Sequence, residues 1–171
     1  MENKTMKAQQ IAEAFLNKIP IEAVESGEGM HKVKLQKLLF FAQEEFLYRH
    51  NEPLFDDKIE AWEHGPVIRE VWNVYAEIPY YIIKSVPQVV ELPQEAQEVV
   101  DEIWARYGEK DTWYLRDLSH SYEIWTNKRD SQYDGRGEIT LDEILQYKKK
   151  CEGEKKEAAE YIKNLAKELV C

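Results

Sequence analysis

Two periodicities meet between His31 and Glu70. Leu35, Leu38, Leu39, Ala42 and Phe46 recur at the spacing of one helical face, while Lys34, Lys37, Gln43 and Glu44 fall largely off it. Phe40, Phe41 and Leu47 widen the apolar surface beyond one stripe, which predicts a central helix touching several neighbours. Asn51-Glu52-Pro53 ends that helix, because proline lacks the N–H that another turn needs. Lys58 to Glu63 then alternates with the period of a strand, so Ile59 and Ala61 face inward and Trp62 lies on the other face. In Glu63-His64-Gly65-Pro66, glycine permits a tight turn and Pro66 suits the first position of a new helix. That helix is predicted through Val67, Val71, Val74, Tyr75 and Ile78 as far as Pro79. Together Trp62, His64, Gly65 and Pro66 form a rigid corner, with Trp62 read first as a core residue and second as an exposed anchor.

The flanking pattern is mostly helical. Thr5 can cap a first helix carrying Ala8, Ile11, Ala12, Phe15 and Ile19 on one face, closed by Pro20, and Ser26 to Gly29 reads as a linker. Residues 80–92 are rich in β-forming side chains but broken by Pro87, which predicts an irregular arm with at most a short or edge strand. Pro93 opens a helix with Ala96, Val99, Val100, Ile103 and Tyr107 buried and Gly108 as its stop. Asp111 or Thr112 caps another, with Leu115, Leu118 and Ser119 on one face. After a loop at Tyr133 to Gly137, Thr140 and Glu143 have capping-box spacing before Leu141, Ile144 and Leu145, expected inward. A last helix is predicted from about Glu154, with Ala158, Ile162, Leu165, Ala166 and Leu169 on one side. The fold class expected is mainly α: a compact single helical domain with a small β element between the central helix and the next.

A length of 171 residues suits one domain, and Cys151 and Cys171 stand too far from any metal-ligand spacing to suggest zinc. Absence of an apolar run of membrane-spanning length, and of a leader pattern, leads to the expectation of a cytoplasmic protein. A formal charge of −10, spread along the chain, repels phosphates and favours a basic protein partner. The one basic run, Lys148-Lys149-Lys150 with Lys155 and Lys156, is diluted by Glu152, Glu154 and Glu157, so nucleic acid is not the expected partner. His64 beside Glu60 and Glu63, and His120 beside Asp117, are the positions where acid-base or metal chemistry is conceivable. No nucleophile, phosphate-loop or metal motif accompanies them, so hydrogen bonding at helix ends is the simpler reading. Trp62, Trp72, Trp104, Trp113 and Trp125 read first as core.

Lys34-Leu35-Gln36-Lys37-Leu38-Leu39-Phe40-Phe41-Ala42-Gln43, then Pro53-Leu54-Phe55, then Ile59-Glu60-Ala61-Trp62-Glu63-His64-Gly65-Pro66-Val67 resemble the Panacea domain of SocA-like antitoxins. The likeness continues through Leu118-Ser119-His120 and Trp125, with Ser119 in place of the usual threonine and Ile124 in place of the usual proline, and on through Ile139 to Tyr147. It spans residues 30–148, which leaves an N-terminal helix and linker at 1–29 and a C-terminal helix at 149–171, packed on the same domain or on a partner. The resemblance implies an antitoxin, not an enzyme, which neutralises a neighbouring-gene toxin by direct binding. It also implies possible adaptor action towards the ClpXP protease and a phage or mobile-element setting. It implies no cofactor and no metal. Signature or partner-binding residues would be Trp62, His64, Gly65, Pro66, His120 and Trp125. A small metal-assisted hydrolase using His64 and His120, and a DNA-binding autorepressor, remain as alternatives.

Overall fold

The computed structural model describes residues 6–84, 89–131 and 136–169. The fold is mainly α, as the pattern predicts, and its β structure forms two small sheets where the sequence led to one small β element and an irregular arm. Helix α1 (Ala8–Leu16) buries Ala8, Ile11, Ala12 and Phe15 as expected. Thr5 lies outside the described residues; the start of α1 is held instead by Asp57, whose carboxylate accepts the Ala8 N–H at 2.8 Å. A short helix, α2 (Ile21–Glu25), and strand β1 (Met30–His31) lead into α3 (Lys32–His50), the axis of the domain.

The surroundings of α3 differ from the single apolar face that its periodicity suggests. Lys37 and Gln43 are wholly buried and Glu44 nearly so, because α1, α5 (Gln94–Tyr107), α6 (Thr112–His120), α8 (Leu141–Leu169) and the hairpin pack all around the helix. Several of the buried polar side chains hold main-chain groups. Gln43 accepts from Leu54 N–H at 2.8 Å and donates to Phe55 C=O at 2.9 Å, pinning the irregular segment that follows α3. Gln36 accepts the Ile68 N–H at 2.8 Å, and the Lys37 ammonium donates to Pro66 C=O at 2.8 Å. These bonds satisfy main-chain groups that would otherwise be orphaned in the interior. The helix ends at Asn51, whose left-handed φ of 56° breaks it before Pro53 is reached.

Strand β2 (Ile59–Trp62) has the predicted alternation, with Ile59 and Ala61 buried. The helix expected from Pro66 begins later: Gly65–Ile68 is strand β3, paired antiparallel with β2, and α4 (Arg69–Val74) follows. Proline is tolerated there because β3 is the edge of a sheet ordered β3-β2-β5, where β5 is Glu138–Ile139. β-Branched Val67 and Ile68 then continue the extended backbone. The arm contributes β4 (Ile82–Ile83), a short strand paired with β1, while Val86 and Pro87 lie outside the described residues.

Helix α5 buries Ala96, Val99, Val100 and Ile103, and Asp111 caps α6 by accepting the Trp113 N–H at 2.7 Å. Helix α7 (Glu123–Ser131) packs against the sheet. Tyr133, Asp134 and Gly135 of the expected loop lie outside the described residues. The Thr140–Glu143 capping box forms at 2.9 and 3.3 Å, with Ile144 buried but Leu141 exposed, contrary to expectation. The two C-terminal helices expected from the sequence are one, because α8 runs unbroken through Gly153. Its first turns bury Ile144 and Lys148, whereas residues 154–167 are exposed along with Tyr161, Ile162 and Leu165. Among the described residues, no helix is long and apolar enough to cross a membrane.

Candidate binding corner at the hairpin

The turn between β2 and β3 is Glu63-His64, closed by the Trp62–Gly65 pair. Gly65 has φ of 101°, a conformation disfavoured for any residue with a side chain. A Cβ there would also stand 2.6 Å from Ser119 Oγ and 2.7 Å from Lys37 Nζ. Glycine is therefore required twice, by its own backbone and by the close approach of α6 and α3. Ser119 donates its hydroxyl to Arg116 C=O at 2.8 Å and stands directly behind Gly65.

Helices α6 and α7 lock the turn from behind. The Trp125 indole N–H donates to Trp62 C=O at 2.9 Å. Its ring lies parallel to that of His120, with centroids 3.8 Å apart. Burial, then the positive charges of Arg116 and Lys37, push the His120 pKa down to about 4, so this ring is neutral at physiological pH. Its Nε2 is buried without a partner. Burial likewise holds the Lys37 ammonium well below the ordinary lysine value, and Arg116 adds to the effect. The structure thus brings Trp62, His64, Gly65, Pro66, His120 and Trp125 into one cluster, although they are dispersed over four elements and a turn.

The outer side of the corner is aromatic and basic. Trp62 is half-buried, not a core residue, and its indole N–H donates to Glu60 at 2.7 Å. Arg69 grips the same carboxylate through two bonds of 2.9 and 2.7 Å. Burial pushes the Glu60 pKa up, but these hydrogen bonds and the Arg69 charge outweigh it and leave it below the usual range. The Arg136 guanidinium lies 4.8 Å from the Trp62 ring, and the Lys32 ammonium 3.9 Å from the Trp72 ring. Of the other tryptophans expected in the core, Trp125 is buried, Trp72 and Trp104 are half-buried, and Trp113 is exposed.

Beside Trp62 lies a cavity of about 340 Å³, lined by Val33, Gln36 and Lys37 of α3, by Val67 and Trp72, and by His64, Arg129 and Arg136. The polarity pattern conceals its lining from α3: Gln36 and Lys37 look like the solvated side of an amphipathic helix. Phe40 and Phe41, which spread apolar surface around the helix, were the available signal that no side of it is free for solvent. Arg129 and Arg136 carry no local signature.

Two of the carboxylates that might have oriented the histidines are engaged by arginines. Glu60 is held by Arg69 and Trp62, and Asp117 is exposed beside Arg116. Among the described residues, no group of three His, Cys, Asp or Glu side chains is placed to hold a metal ion. The basic run at Lys148 is also engaged: Lys148 is buried against Glu44, Glu45 and Glu152, and Lys150 pairs with Glu123.

Fold and corner together define a small, mainly α domain organised around one buried helix and one clamped hairpin. The family described as antitoxin SocA-like, Panacea domain, matches residues 35–126, and the chain belongs to it. That interval holds most of α3, the hairpin, α4, α5, α6 and the start of α7, including every residue of the cluster. Comparisons with curated proteins and with solved structures returned no match.

Proposed function

We propose that this chain is the antitoxin of a toxin–antitoxin pair and neutralises its toxin by direct contact. The observation that carries the reading is the family match over residues 35–126. The hairpin corner supports it, since Trp62 is half-buried among arginines on a rigid scaffold, the composition typical of residues that dominate protein interfaces. The formal charge of −10 favours encounter with a basic partner, while the engagement of Lys148 and Lys150 with carboxylates argues against nucleic-acid binding. Family membership points away from catalysis. The cytoplasm is the compartment in which such a pair would act, and a phage or mobile element its setting.

Co-expression tests the reading. The product of the adjacent gene should arrest growth alone, and this chain should restore growth and co-purify with it. A harmless neighbour, or a toxic one that this chain neither rescues nor binds, would remove the reading's main support. Masking and delivery to the ClpXP protease separate in a pulse-chase of the toxin. Masking leaves its lifetime unchanged, whereas an adaptor shortens it only when the protease is present.

A further inference from the structure

We propose that residues 154–167 of α8 pair with the same segment of a second copy of this chain, as a short parallel coil of two helices. Every residue from 154 to 167 is exposed, and the large apolar ones, Tyr161, Ile162 and Leu165, are exposed by 66%, 64% and 40%. They form a continuous face. Ile144, Cys151, Ala158, Ile162 and Leu165 follow one another at intervals of seven, seven, four and three residues, so the stripe that α8 buries at Ile144 runs on into solvent, with Tyr161 at its edge. Helices in proteins draw most of their stability from the packing of such a face, and none of the described residues covers this one.

The charges and the order of the apolar residues identify the occupant. Residues 154–167 carry four lysines and three glutamates in a chain of formal charge −10, so this segment lacks the acidity that suits the rest of the protein to a basic partner. Its charges complement themselves instead. Glu154 and Glu157 lie on the Tyr161 side of the stripe, and Lys156, Lys163 and Lys167 on the side of Ala159 and Ala166. In a parallel pair each edge meets the opposite edge of the partner helix, so acid faces base on both sides, whereas an antiparallel pair sets like edges together. Ile162 with Leu165 three residues on is the order of β-branched and leucine positions that favours two parallel strands, and Leu169 continues the spacing in sequence. Lys155, which falls within the stripe, is drawn aside by Glu152 at 2.9 Å. The area such a segment buries is below that of a standard interface, so the pair is weak, with a dissociation constant on the order of 10–100 µM. Pairing is independent of toxin neutralisation, and its test requires no toxin.

Sedimentation equilibrium of the full chain under reducing conditions, from about 5 µM to about 1 mM, decides the matter: the mass should rise from that of a monomer to that of a dimer. Ile162→Asp with Leu165→Asp should weaken dimerisation about tenfold or more, with unchanged melting of the dilute protein, since both side chains are exposed. Two charge variants test the edges. Lys163→Glu with Lys167→Glu, and separately Glu154→Lys with Glu157→Lys, should each weaken self-association about tenfold, while an equimolar mixture of the two should form a heterodimer at least as tight as the parent dimer. A monomer throughout the range, an assembly other than a dimer, a dimer undiminished by the Ile162 and Leu165 changes, or a mixture no tighter than either charge variant alone would each overturn the proposal.

Discussion

Gly65 and Glu44 show how much single positions carry. At Gly65, positive φ and the contact with Ser119 and Lys37 act together, so Gly65→Val should cost on the order of 1–3 kcal/mol through strain, with further loss from the clash. Thermal melting reads this as a lowered midpoint, and an unchanged midpoint would show that the turn relaxes freely. Glu44 is a buried carboxyl whose pKa burial pushes up to about 7, against the opposing pull of Lys148 at 3.8 Å and the Tyr122 hydroxyl at 3.2 Å. Between the unfolded value and 7 the native state holds the proton more tightly than the unfolded chain, so this group's contribution to stability falls as pH rises through that window. Glu44→Gln should therefore stabilise the fold by about 1–3 kcal/mol at pH 8 and by little near pH 4.5, with Glu45 and Glu152 retaining Lys148. A difference between variant and parent that is the same at both pH values would contradict the assignment. Trp62 was legible as the outward residue of β2 but not as half-buried, because the arginines and Trp72 that cover it come from other segments. Trp62→Ala should lower melting only slightly yet cost about 2 kcal/mol or more of toxin binding; a large melting loss would restore the core assignment.

Among the elements, the sequence foretold those whose signals are local. The Thr140 capping box, the Asp111 cap, the buried face of α5 and the alternation of β2 all rest on residues within a turn or two of one another. Elements set by distant partners were misread. Gly-Pro-Val has the features of a helix start, but pairing with β2 and the Lys37 bond to Pro66 C=O make it an edge strand. Lys37 and Gln43 look solvated because periodicity cannot reveal that a helix is surrounded. All six corner residues lay in the stretches that resemble the family, yet only packing shows why Trp125 belongs with Trp62: the indole N–H bonds the strand's last carbonyl. Trp125→Phe keeps the ring over His120 and removes that bond, so it should cost about 1–3 kcal/mol of stability, measured by denaturant melts. An unaltered transition would show that the hairpin is held without it.

At the scale of the molecule, the buried mass ends near Lys148, while α8 continues into an exposed stretch from residue 154 to 167. Truncation after Gly153 should leave the unfolding free energy within about 0.5 kcal/mol of the parent, because the removed described residues bury almost nothing. A pronounced loss would mean that the segment supports the domain. The acidic charge, the family match and the clamped corner support the proposal that the protein acts by binding. The most direct measurement is a titration of purified toxin, the neighbouring gene product, with the purified chain in the absence of any protease. Direct neutralisation predicts a saturable complex and toxin activity that falls in step with its formation. Undiminished activity at saturating chain, or no complex at all, would contradict it.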